Sequence, residues 1–382
     1  MIFKIGMFLV VALIVFLVMA FIALRIPTLE IDSQSSEKEK LFALDKWLKH
    51  IHEIGKFNGT VLLSRHGEVI FSESLGYEGL ETLNPLTEHS SFNLASVSKQ
   101  FTAMGIVLLH KQSKLKYNDK LSQYIPELAY YENISIQHLL HHTSGLPDYM
   151  QLVAKHSNED DIFTTSKMVS LYQKHHPSLN FEPGAKFQYS NAGYVLLAEI
   201  IERVSGTSFQ SFMSSNIFNP LNMKDTQVFN LLSENEPTNR VHGYKNRLWL
   251  FGGKKLPQDL NFFDGVAGDG GVYSSAYDLY LWHKGLNKGT LVSNELYNIA
   301  YIPAQLSSGS KTKYGFGWFI NADNSVEHAG GWQGFNSYIH RNLEKDELII
   351  ILDNSSNTLR VNSIGYRFNS IGLNLQHFMK SL

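Results

Sequence analysis

The stretch "NLASVSKQFTAMGIVLL" (Asn93 to Leu109) sets Lys99 three residues after Ser96, where the uncharged run Ala103–Leu109 begins. A helix apolar on all sides is a buried one, and lysine is seldom buried without a partner. Residues three apart on a helix share a face, so the Lys99 amine can reach the Ser96 hydroxyl. A serine hydroxyl is a weak nucleophile until a base takes its proton, and the pair therefore has the parts of a covalent catalyst. The helix start adds free N–H groups and a partial positive charge where negative charge would develop. Ser-x-x-Lys by itself selects nothing, because it recurs at Ser35/Lys38, Ser113/Lys116, Ser308/Lys311 and Ser310/Lys313. Only Ser96/Lys99 opens an apolar helix.

Two further stretches offer matching chemistry. "GAKFQYSNAGYVLLAEII" places Tyr189-Ser190-Asn191 at the start of another apolar helix. A tyrosine becomes a base when nearby cations favour its phenolate. An asparagine amide can donate to a substrate carbonyl while its oxygen accepts from Lys99. "SVEHAGGWQGFNSYI" sets His328-Ala329-Gly330-Gly331 between strand-like runs, where glycines let a substrate backbone approach a strand edge. Other polar groups have blander readings. His138 and His142, four apart on an expected helix, have zinc-ligand spacing but no glutamate base and no third ligand; packing beneath the "HHTSGLPDY" loop is the better reading, and no metal is expected. Asp269 and Asp278 read as turn and helix-cap residues, while Trp332 and Tyr149 are candidates for a cleft wall.

The elements that must position these groups follow from periodicity. Leu41, Leu44, Trp47, Leu48 and Ile51 recur at helical spacing. "NGTVLLSRHGEVIFSESLGY" alternates and breaks at Arg65-His66-Gly67-Glu68, the pattern of a hairpin. Helical segments dominate from about 98 to 300, among them Ile136–His142, Ala192–Val204 and Ser275–Leu286. Strand-like "YGFGWFI", "GFNSYIHRN" and "ELIIILDN" then precede a helical stretch, Val361–Met379. The expected fold is α+β: one antiparallel sheet flanked by N- and C-terminal helices, with an inserted helical lobe and a cleft between.

Composition narrows the classes. The 382 residues carry a net charge of -2, with 43% hydrophobic and 18% charged residues, which suits a folded protein with a substantial core. The near-neutral balance without a long basic run argues against a nucleic-acid partner. The chain has no cysteine, which removes thiol nucleophiles, cysteine zinc sites and disulfides. The uncharged segment Ile5–Leu24, between Lys4 and Arg25, is long enough to cross a bilayer. Its length favours an uncleaved anchor over a cleaved signal, with the domain outside the cytoplasm, on the periplasmic or extracellular side. Residues 1–27 thus read as anchor or signal, 28–40 as a polar tether and 41–382 as the catalytic domain.

Taken in order, Ser96-x-x-Lys99, Tyr189-Ser190-Asn191 and His328-Ala329-Gly330 resemble the site motifs of the penicillin-recognising serine hydrolases, nearest the class C β-lactamase, D-Ala-D-Ala carboxypeptidase and esterase branch. "LLHHTSGLPDY" and "GDGGVYSSAYDLYLW" are similar to stretches of the same group. The resemblance implies a β-lactamase/transpeptidase-like fold, an acyl intermediate on Ser96, and proton transfer shared by Lys99 and Tyr189. It further implies Asn191, His328 and Gly330 as substrate contacts, an oxyanion hole from the backbone N–H groups of Ser96 and Gly331, and no cofactor. Two departures stand out. Class C β-lactamases carry lysine where this chain has His328, and Ala329 lacks the hydroxyl that would meet a substrate carboxylate. The expected activity is therefore on an ester, amide or peptide carbonyl of a small-molecule or peptide substrate. A β-lactamase, or a membrane-tethered sensor that acylates without turnover, is the alternative.

Overall fold

The computed structural model describes residues 26–81, 83–156, 161–246, 255–356 and 364–382. The expected anchor segment lies outside the described residues; among them, no helix is long and apolar enough to cross a membrane. The chain begins with α1 (Glu37–Glu53), the hairpin β1 (Gly59–Arg65) and β2 (Glu68–Leu75), then β3 (Phe92–Asn93) and a 3₁₀ turn, Ala95–Ser98. A helical stretch follows: α2 (Lys99–Lys111), α3 (Leu121–Tyr124), α4 (Ile136–Leu140), α5 (Tyr149–His156), α6 (Thr165–His175), α7 (Asn191–Ser205) and α8 (Phe209–Met213). Short strands β4 (Gln227–Val228), β5 (Tyr244–Asn246), β6 (Lys255–Pro257) and β7 (Val272–Ser274) lead to α9 (Ala276–Lys288) and α10 (Asn294–Tyr297). The chain closes with β8 (Phe319–Ile320), β9 (Val326–Trp332), β10 (Phe335–Asn342), β11 (Glu347–Asp353), β12 (Ser355–Ser356) and α11 (Ile364–Ser381).

Both ends of the chain meet in one sheet of order β2-β1-β11-β10-β9-β8. β1 pairs antiparallel with β11, in the register Val61↔Ile351, Leu62↔Ile350, Leu63↔Ile349. Alternate side chains leave opposite faces. Val61, Leu63, Ile349 and Ile351 pack under Leu48 of α1 and Leu375 of α11. Leu62, Ile350 and Leu352 belong to the core shared with the helical lobe. Every residue of β11 is buried, because a sheet covered on both faces needs apolar residues on both. The hairpin turn at His66-Gly67 has positive φ at both residues, the geometry of a two-residue β-turn.

Several expectations need correction. The helix begins at Glu37, inside the stretch expected to be a tether, because Ser36 and Glu39 form a capping box. Ahead of that helix the tether is held at Leu29, whose N–H donates to Asn374, while Asp32, Ser33 and Gln34 are exposed; just before it Ile26 is buried and the Trp47 indole donates to the Pro27 carbonyl. α4 ends at Leu140 and His142 adopts a positive φ, so His138 and His142 do not share a helix. "YGFGWFI" is mostly loop, with Gly317 at positive φ, Phe319–Ile320 as its strand and Tyr314 bridged back to Phe319. The middle of the chain holds small sheets as well as helices, β3-β7-β4 and β12-β5-β6.

Candidate active site

Ser96 lies in the 3₁₀ turn and Lys99 is the first residue of α2, so the two share a face at the mouth of the helix. Residues Lys99–Leu109 of α2 are all buried, as an uninterrupted apolar surface requires. Gly105 lets α7 and α8 close on it: a Cβ there would meet Ile201 and Met213, each at 2.8 Å. Ahead of Ser96, Ala95 is held at φ 46, and its N–H donates to the Asn93 side chain at 2.8 Å. A non-glycine residue in that region is strained and persists only where its surroundings fix it.

Lys99 is fully buried, and its amine has a complete set of acceptors. Nζ donates to Ser96 Oγ (3.2 Å), Asn191 Oδ1 (3.0 Å) and the Asp269 carbonyl (2.7 Å). Asn191 opens α7 and Asp269 lies in the loop before β7, so one side chain joins three distant pieces of chain. Tyr189, two residues ahead of Asn191, has its ring centroid 5.0 Å from the same Nζ. The Tyr189 hydroxyl is buried and makes no hydrogen bond within the described protein. Its ring rests on His142 (centroids 4.2 Å apart), whose Nδ1 accepts from the Ser190 N–H at 3.1 Å. His142 therefore fixes the approach to α7. His138 closes the capping box at the start of α4, its Nδ1 accepting from the Ser135 N–H. Among the described residues, no group of three His, Cys, Asp or Glu side chains could hold a metal ion.

The third motif lies on β9. β8 pairs with β9 only at Glu327 and Val326, which leaves the Gly330–Trp332 edge open to the 3₁₀ turn. The approach is close: a Cβ on Gly330 would fall 2.3 Å from the Leu94 carbonyl, 2.4 Å from Ser337 Oγ and 3.0 Å from the Ser96 nitrogen. Gly330 is thus a packing requirement rather than a wall of the cleft. Gly331 is the wall, lining the cleft with Ser96, Asn191 and Trp332.

His328 differs from expectation. It is 1% exposed and both ring nitrogens are engaged: Nδ1 donates to the Ala329 carbonyl (2.8 Å) and Nε2 accepts from the Tyr314 hydroxyl (3.0 Å). Burial, reinforced by the Lys99 charge, pushes its pKa down to about 3. The side chain stands behind the site, 6.2 Å from the Tyr189 ring, and does not line the cleft. A substrate contact through this imidazole is not available in this geometry, because the β9 alternation turns the ring into the core.

Asp278 lies in the first turn of α9 but is not its cap: Ser275 is the N-cap, accepting from the Asp278 N–H, while the Asp278 carboxylate accepts from the Asp225 N–H and the Thr226 hydroxyl. Asp269 does more than a turn residue: its carbonyl holds Lys99 and its carboxylate accepts from the Tyr149 hydroxyl at 3.1 Å. Tyr149 and Trp332 do line the cleft. Tyr314, the partner of His328, and Asp264, which lines the cleft, went unnoticed in the sequence. A glycine-flanked "FFDG" was the signal for Asp264; Tyr314 gave none beyond its place in an aromatic run.

A fold of this topology with a serine beside a buried lysine at a helix mouth defines a class, the serine hydrolases. The family model described as Beta-lactamase matches residues 44–368, and the chain belongs to that family. Penicillin-binding protein 4* of Bacillus subtilis (strain 168) is 34% identical over 336 residues, covering 84% of this chain and 72% of its own. The solved penicillin-binding protein of Bacillus halodurans superposes with a TM-score of 0.72 at 25% identity, over 86% of this chain and 98% of that one. The octameric penicillin-binding protein homologue of Pyrococcus abyssi gives 0.71 at 25% identity, over 89% and 78%.

Proposed function

We propose that the protein hydrolyses an ester, amide or peptide carbonyl through an acyl intermediate on Ser96. The observation that carries this is the Lys99 amine, buried and joined at once to Ser96 Oγ and Asn191 Oδ1 at the edge of an open cleft. Ser96 Oγ attacks the carbonyl carbon while its proton passes to the Lys99–Tyr189 pair. The tetrahedral oxyanion is met by the N–H groups of Ser96 and Gly331, each such donor contributing about 3 kcal/mol to the barrier. The leaving group departs with the proton, and water then enters by the reverse route to release the acid. Asn191 holds Lys99 and donates to the substrate. Neither His328 nor Ala329 offers a charge or hydroxyl to a substrate carboxylate, which favours esters and amides over β-lactams.

The test is a panel of p-nitrophenyl esters, D-Ala-D-Ala peptides and a chromogenic cephalosporin. Turnover of an ester or peptide that Ser96→Ala abolishes supports the reading. Cephalosporin hydrolysis far ahead of all other substrates would replace it with a β-lactamase. A lasting adduct with no turnover of any substrate would replace it with a sensor. Tyr189→Phe is expected to lower kcat by about a hundredfold with KM little changed, as removal of a proton-transfer group does. We further propose that segment 5–24 tethers the domain outside the cytoplasm, which membrane fractionation with external protease would check.

A further inference from the structure

A second cavity lies between the sheet and α11, on the face of the sheet away from the Ser96 cleft. Its volume is about 390 Å³, room for a small organic molecule. Residues directly opposite one another on neighbouring strands share a face. Glu327 of β9 and Ile349 of β11 both stand opposite His340 of β10, and Glu347 stands opposite Asn342, one pleat further on. All of them line the cavity. Glu347 is 9% exposed, and its carboxylate makes no hydrogen bond or ion pair within the described protein. Arg65, opposite it on β1, is turned to Glu37 of α1 at 2.9 Å. Glu327 accepts from the Tyr338 hydroxyl (2.6 Å) and the Gln376 amide (3.4 Å), both neutral and both through Oε2, which leaves Oε1 open. His340 is neutral, since burial lowers its pKa, and its buried Nδ1 has no partner. The other charges lining the cavity among the described residues are Asp323, which accepts from Ser325, and Lys380; both are exposed.

A carboxylate withdrawn from water without a partner is unfavourable, and a cation beside it removes that penalty. Glu327 and Glu347 stand two strand spacings and two residues apart, a span of roughly 12 Å between their Cα atoms. An extended five-carbon diammonium sets its nitrogens roughly 7–8 Å apart, and a charge-assisted hydrogen bond of about 2.8 Å at each end reaches a similar span. Between the two carboxylates lie the neutral imidazole of His340 and the side chain of Ile349, with Leu373 and Met379 of α11 completing an apolar wall for a methylene chain. We propose that this cavity binds a small alkyl diammonium, one ammonium on Glu347 and the other on Glu327, at a site separate from the Ser96 cleft. Nothing in this site depends on the hydrolase reading.

Isothermal titration calorimetry of the full chain at low salt tests it, with 1,5-diaminopentane as the probe and pentan-1-amine as the control. The diamine is expected to bind saturably with a Kd of about 1 mM or tighter. The monoamine, which can engage one carboxylate only, should bind roughly tenfold or more weakly. Glu347→Gln and Glu327→Gln remove one charge each at opposite ends of the cavity, and each should weaken the diamine by roughly tenfold or more. Circular dichroism checks that each variant is folded, and either one that folds decides the point. Ser96→Ala should leave the Kd unchanged. No saturable heat up to about 10 mM diamine overturns the proposal. So does a monoamine that binds as tightly as the diamine, or a Kd that a folded Glu→Gln variant leaves unchanged. A Kd that Ser96→Ala alters would place the diamine in the catalytic cleft and overturn it as well.

Discussion

Among the described residues, two serine hydroxyls stand 3.2 Å from a basic nitrogen: Ser96 from Lys99 Nζ, and Ser325 from His340 Nε2. Ser325 borders the roomier cavity, about 390 Å³ between the sheet and α11, against about 200 Å³ beside Ser96. The chemistry runs the other way. The Ser325 hydroxyl donates to Asp323 Oδ1 at 2.6 Å and accepts from the Asn321 amide at 3.0 Å. Its proton is committed to a carboxylate, so the imidazole has nothing to take. His340 Nδ1 has no partner to orient the ring, and burial lowers the pKa of the ring. Ser325 is 1% exposed. Ser96 keeps its proton free, reaches the cleft, and shares a wall with Gly331. On the proposed mechanism, cavity size and serine–base distance therefore do not single out the nucleophile; an uncommitted hydroxyl beside the proposed oxyanion donors does.

The largest expected break of this asymmetry is Lys99→Met, which keeps most of the side-chain volume but removes the amine. Acylation and turnover should fall by about a thousandfold or more, because base assistance and the link to Asn191 vanish together. Circular dichroism checks that the fold survives. Gly330→Ala comes next. Its methyl must push β9 away from the Leu94 carbonyl and Ser96, parting the two oxyanion donors. A roughly tenfold or greater loss of kcat is expected, since displacements of an ångström at a site are costly. Ser325→Ala should leave kcat/KM within about twofold while lowering stability by about 1 kcal/mol, the worth of its hydrogen bonds. A loss of activity there would mean that the outer cavity takes part.

The buried His328 makes a further difference measurable through pH. Its folded pKa of about 3 lies below the ordinary value of 6.5, so between those limits the unfolded chain binds a proton that the folded protein refuses. The corresponding stability is present above about pH 6.5 and is lost as pH falls toward 3. Asp264 and Asp278, raised to about 6, have the opposite sign: their contribution is present below about pH 4 and lost as pH rises through 6. The useful quantity is consequently a difference. In urea titrations between pH 6 and 4.5, His328→Gln should show a stability slope shallower by up to about 1.4 kcal/mol per pH unit. An unchanged slope would mean that the imidazole titrates normally and is not sealed behind Tyr314.

Much of this was legible in the sequence, for identifiable reasons. The terminal helices and the strands of the central sheet declare themselves by periodicity, and Ser96/Lys99 by the apolar helix that it opens. Asn191 was legible from its place at the start of a second such helix. What failed to show was direction and packing. His328 alternates into the core, a one-residue matter of register that strand composition leaves open. The Lys99 acceptor supplied by Asp269 is a backbone carbonyl, so no side-chain identity advertises it. The helix at Glu37 was masked by polar residues that serve as its cap. Asp264 required knowledge of which loop faces Trp332, a contact across 68 positions.

The central claim is best tested by mass spectrometry of the intact protein after brief exposure to a slowly hydrolysed acyl or phosphonate ester, with peptide mapping of the adduct. The account predicts one adduct, carried on Ser96, absent from the Ser96→Ala variant and undiminished in Ser325→Ala. An adduct on any other residue, or an unchanged yield from the Ser96→Ala protein, would contradict it.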